Sequence, residues 1–139
     1  MPALIGVLLG GAIGTGLRLA LDTALPHGDA DFPWSTLAIN ILGALALGWL
    51  VGGLWTRPSV PHWVKAGIGP GLLGSFTTFS AVMVSLVAQT SAGLFWLAAG
   101  YAGVSIVLGF GAAALGLWAG SHIAHRPLPS EITDEGSTL

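Results

Sequence analysis

Neutral hydrogen-bonding side chains punctuate long apolar stretches of this chain, and their spacing suggests what chemistry they could do. In "STLAINILGALALG", Asn40 has Thr36 four residues before it and Gly43 three after, so all three share one helix face. An Asn inside a membrane helix can glue helices together, and its amide also offers two donors of the kind an anion stripped of water requires. Tyr101, Ser105 and Gly109 recur at intervals of four, making a row of a phenol, a hydroxyl and bare backbone. A serine there can bond back to its own helix, but with Asn40 it forms a set of neutral donors.

A second feature is "GPGLLGSFTTFS", Gly69 to Ser80, which is badly suited to a helix although it lies in a strongly apolar region. Three glycines and a proline weaken i to i−4 bonding, and adjacent threonines add β-branched polar groups. An interrupted helix is tolerated at membrane depth only where the freed backbone groups are buried in protein or coordinate something. A break over Gly74 to Thr78 would free carbonyls from the preceding half-helix, and such carbonyl ends attract cations. Two chains apposing their breaks across a two-fold axis could cage one dehydrated cation.

These residues must be positioned by membrane helices. Charged residues make up 7% of the chain, against about 25% in an average soluble domain. The apolar share is 53% and the mean hydropathy +0.82. Four apolar segments, Ala3 to Leu21, Trp34 to Trp55, Trp63 to Ala88 and Leu94 to Trp118, each approach or exceed the roughly 20 residues that cross a bilayer core. The first lacks a basic leader region and is read as a retained helix. Residues 1–121 are expected to form one four-helix transmembrane domain, and 122–139 a polar, disordered tail.

Charge placement puts Arg57, Lys65 and Arg126 on the side of both termini, with Asp22, Asp29 and Asp31 opposite, so the termini are expected in the cytoplasm. With only four basic residues in the chain, insertion in both orientations stays open. In the first helix Gly6, Gly10 and Gly14 recur every four residues, with Arg18 next in the row. Such a seam serves packing within the chain or a subunit interface. The small interior of a four-helix chain favours the interface. Arg18 either snorkels to the headgroups or, continuing the glycine row into protein, draws an anion toward a vestibule.

Several function classes are disfavoured. No Asp or Glu lies inside a span, whereas a proton-coupled multidrug-type exporter needs an intramembrane carboxylate. Catalytic motifs are missing, so an enzyme is not expected. His122 and His125 form an HxxH with too few ligands for a metal site. Cys is absent, excluding disulfides, and no basic run suggests nucleic acid. A non-conducting membrane subunit that pairs with a homologue would explain the glycines but not the broken helix.

The stretches "GGAIGTGLR", "TLAINILGALALG" and above all "GLLGSFTTFS", together with Tyr101 and Ser105, resemble the Fluc (CrcB) fluoride channels across all four spans. The resemblance implies an all-α membrane protein whose third helix is broken near its middle, assembling as an antiparallel dual-topology dimer in the plasma (inner) membrane. It implies a fluoride path lined by Asn40, Thr78, Phe79, Ser80, Val82, Tyr101, Ser105 and Gly109, an Arg18 vestibule, and a structural Na+ on the backbone carbonyls of Gly74 and Thr77. Two positions depart from the family pattern. Val82 stands where a second Phe is usual, and Gly109 where a second hydroxyl is common. A homodimer is favoured; a heterodimer with a paired homologue would supply the missing ring.

Overall fold

The computed structural model describes residues 1–28 and 30–124, and its elements are helical throughout. Helix α1 (Pro2–Ala24) and α2 (Trp34–Gly52, followed by a 3-10 turn at Leu54–Thr56) form the first two spans. The third span, His62–Ser91, is composite: α3 (His62–Ala66), a π-helical segment Gly67–Leu73, α4 (Gly74–Phe76), an extended interruption, and α5 (Ser80–Ser91). The fourth is α6 (Phe95–Ala124). Each span is at least 23 residues long, about 34 Å of helix, enough to cross a hydrocarbon core.

The chain is a multi-pass membrane protein, and its surface shows why it needs a bilayer. Leu4, Leu8, Ile106, Phe110 and Leu115 are all exposed along α1 and α6, where water would penalise them and lipid does not. The fourth helix runs through Ala124, so the four-helix unit passes the expected boundary at 121. The polar tail from 125 onward, with His125 and Arg126, lies outside the described residues, as does Asp29.

Packing divides the helices into two pairs. In the first, α1 lies along the first half of the third span: Gly6 faces the backbone of Trp63 and Gly67, Gly10 that of Gly67 and Leu72, and Gly14 that of Leu72 and Phe76. The expectation that favoured a subunit interface for this seam is therefore corrected. The glycines are spent inside the chain, because backbone can meet backbone only where no Cβ intervenes. In the second pair, α2 and α6 interlock through Gly48 on Ala113, Gly52 on Leu117, Gly116 on Leu45 and Trp49, and Gly120 on Trp49.

Between the pairs contact is sparse, leaving one groove of about 550 Å³ and a second, almost wholly apolar, of about 680 Å³. Specific polar ties join neighbouring elements. Asn40 of α2 holds the interruption of the third span, and the buried Gln89 of α5 donates from Nε2 to the Asp31 carbonyl at 2.9 Å. Gly93, at φ +77°, ends α5 in the left-handed conformation that only glycine adopts without strain, and α6 begins at once.

Candidate functional site

The site is built around the interruption. Pro70 has no N–H to give the ladder, and the helix around it widens into π turns rather than breaking. The departure comes later and is shorter than expected. Gly74 is still helical; Thr77, at φ −76° and ψ 156°, is extended, and helix resumes at Ser80. Thr77 closes the preceding half, its N–H donating to the Leu73 carbonyl at 3.0 Å and its Oγ1 to the same oxygen at 2.9 Å. Thr78 opens the next half, its Oγ1 accepting the Ala81 N–H at 3.2 Å and lying 3.1 Å from Ser80 Oγ. Adjacent threonines thus cap opposite helix ends, which explains their pairing in the sequence.

Asn40 satisfies the interruption itself. Its Oδ1 accepts the Thr78 N–H and its Nδ2 donates to the Thr78 carbonyl, each at 2.9 Å, as a neighbouring strand would. Both groups would otherwise be orphaned in an apolar medium, at a cost of several kcal/mol each. Thr36 is buried on the same face, and Gly43 seats the Thr77 methyl, so the grouping Thr36, Asn40 and Gly43 is the face that meets the interruption. One amide hydrogen of Asn40 is therefore engaged on Thr78, leaving one of the two donors for anything else.

Two concavities flank this clasp. Asn40, Gly74 and Thr77 line the groove of about 550 Å³ together with Trp55 and Gly69. On the other side, Thr78 and Ser80 share a polar pocket of about 420 Å³ with Arg18, Asp22, His27, Thr36 and Ser85. Arg18, which follows the glycine row, is half-buried and lines this pocket with Thr78 and Ser80. Phe79 is 74% exposed and Val82 half-buried.

Tyr101 and Ser105 stand apart, lining neither concavity. Tyr101 is fully buried, in edge contact with Phe32 at 5.4 Å. Its hydroxyl and Ser105 Oγ are buried and, among the described residues, have only each other as partners. Gly109 has open space above its backbone. Among the described residues no group of three or more His, Cys, Asp or Glu could hold a metal, and His122 bonds the Trp118 carbonyl through Nδ1 at 2.8 Å.

Sequence reasoning missed Ser85, Gln89, Asp22 and His27. The first two are polar residues four apart on α5, a signal of the same kind as the Tyr101 and Ser105 row. Asp22 follows Arg18 by one turn, and His27 reaches the pocket only through the loop fold.

Fold and site together define a multi-pass α-helical membrane protein with a discontinuous span, an architecture that places unwound backbone and half-helix ends where ions can be met. The family model described as CrcB-like protein, Camphor Resistance (CrcB), matches residues 5–117, and the chain belongs to that family. It is 39% identical over 119 residues to the fluoride-specific ion channel FluC of Chelativorans sp. (strain BNC1), covering 85% of this chain and 95% of that one. With the protein of the same name from Novosphingobium aromaticivorans the identity is 41% over 120 residues, covering 84% and 94%. With that from Pseudomonas fluorescens (strain Pf0-1) it is 39% over 121 residues, covering 86% and 94%.

Proposed function

We propose that this chain is a fluoride-selective channel of the bacterial inner membrane, giving passive efflux of fluoride that entered as the neutral weak acid and ionised in the cytoplasm. The observation that carries the reading is the interrupted third span clasped by a neutral amide and flanked by hydroxyls, with Asp22 at the end of α1 the carboxylate that shares their pocket with Arg18, in a chain whose family relatives bear that name. Fluoride is small and strongly hydrated, so a path must replace its water with donors without trapping it on a full charge. The remaining Asn40 N–H, the hydroxyls of Thr78 and Ser80, and the buried hydroxyls of Tyr101 and Ser105 are such donors. The exposed ring of Phe79 adds an electropositive edge. Arg18, set back in the polar pocket, raises the local anion concentration without closing on the ion.

The working unit in this reading is an antiparallel homodimer. A second copy is what the sparse contact between the helix pairs and the open grooves call for. The residues at the interruption fit a structural sodium ion: Thr78 N–H goes to Asn40 instead of the Gly74 carbonyl one turn back, and Gly74 and Thr77 line one groove. Neutral carbonyl oxygens suit a hard monovalent cation, which would neutralise two converging half-helix ends. The test is efflux of fluoride, read with an ion-selective electrode, from liposomes holding the purified chain alone. Release well above that of protein-free liposomes supports a self-sufficient channel. Release only after addition of a homologous chain favours the heterodimer, and none in either case rejects the reading.

A further inference from the structure

Asn40 touches one residue of the interruption, yet through it the amide governs two peptide planes. In a trans peptide the C=O and the following N–H point in opposite directions, and no cis bond occurs among the described residues. With the Thr78 N–H held on Asn40 Oδ1 at 2.9 Å, the Thr77 carbonyl is turned away from Asn40. With the Thr78 carbonyl held on Nδ2 at 2.9 Å, the Phe79 N–H is turned away as well. Thr77 is extended, so no helical neighbour fixes its carbonyl, and its side chain is occupied on Leu73.

We infer that Asn40 is a positioning residue for cation binding, aiming the Thr77 carbonyl by gripping the Thr78 amide on the far side of the same peptide plane. The inference rests on the sodium reading above and goes beyond it by assigning the cation site a side-chain support on another span. The support resembles the outer-shell partners of metal ligands, whose loss weakens binding by about 10- to 100-fold. Coupling of this kind is reciprocal: whatever factor the clasp contributes to cation affinity, the cation returns to the clasp.

The experiment uses the purified full chain and sodium chloride, against a large organic cation at constant ionic strength, and reads thermal stability and amide exchange rather than flux. In the wild type, sodium raises the melting temperature, and protection of the Thr78 amide rises with sodium over the same concentration range. Asn40→Leu, which lacks the acceptor, needs about 10- to 100-fold more sodium for half the stabilisation. Asn40→Asp keeps an acceptor for the Thr78 N–H and keeps the wild-type sodium range or a lower one. A Thr78 amide indifferent to sodium in a protein that sodium stabilises overturns the inference without any variant, so it stands to be refuted even if Asn40→Leu does not fold. An Asn40→Leu protein with the wild-type sodium range, or a folded Asn40→Asp protein without a response, overturns it equally. A wild type that sodium does not stabilise at all removes the cation reading itself and the inference with it.

Discussion

Gly10 should be among the least replaceable residues of the first span, and Gly16, on the same helix, should be dispensable. A methyl group at Gly10 would sit 2.9 Å from Leu72 N and 3.0 Å from the Gly67 carbonyl carbon, and closer still to the Gly67 oxygen. All three atoms are backbone, so no rotamer change relieves the clash. Ordinary carbon contacts lie at about 3.5 to 4.0 Å, so α1 must retreat by roughly 1 Å, forfeiting a quarter to a half of the dispersion energy along the seam. Overpacking of this kind costs about 1 to 3 kcal/mol, and an unyielding backbone puts Gly10→Ala at the upper end. The better helix propensity of alanine returns about 1 kcal/mol, for a net loss of about 2 kcal/mol. At Gly16 nothing lies within 4 Å, so only the propensity gain remains. Equilibrium unfolding of both variants in mixed micelles should separate them by about 3 kcal/mol. Equal stability, or a more stable Gly10→Ala, would refute the assignment of this seam to packing inside the chain.

Phe79→Ile should reduce fluoride efflux by about fivefold or more, since an aromatic edge contact is worth about 1 kcal/mol that an aliphatic chain lacks. The exposure of Phe79 in the protomer means the melting temperature should move little, and unchanged flux would remove the ring from the path. Val82→Phe restores a ring three residues along α5 and should leave efflux intact or raise it; a block would show that the space is needed as it is. Replacing sodium by a large organic cation on both sides of the membrane should lower activity or dimer stability, and indifference of both would count against a bound cation.

The spans were legible because a bilayer demands about 20 apolar residues in a row, and little else satisfies that demand. The interruption was legible in outline from glycine, proline and paired threonines. Its position was not. Glycine and proline weaken a ladder without saying whether it widens or ends, and here the Gly67–Leu73 segment widens while Thr77 ends it. The row Gly6, Gly10, Gly14 revealed a close-packed face, but periodicity along one helix carries no information about which helix lies opposite. The same limit hid the tie between Asn40 and Thr78, 38 residues apart. Helical spacing grouped Asn40 with Thr36 and Gly43 correctly. What it could not show was that the amide spends one donor and its acceptor on backbone, which makes Asn40 a structural clasp as well as a candidate donor in the path.

The most direct test of the central claim loads one population of liposomes, containing only this chain, with equal concentrations of fluoride and chloride and follows both ions outward with separate electrodes. A narrow path lined by neutral donors predicts that fluoride empties on addition of an ionophore that clamps the membrane potential, while chloride stays at the level of protein-free liposomes. Joint release of both anions, or retention of both, would contradict it.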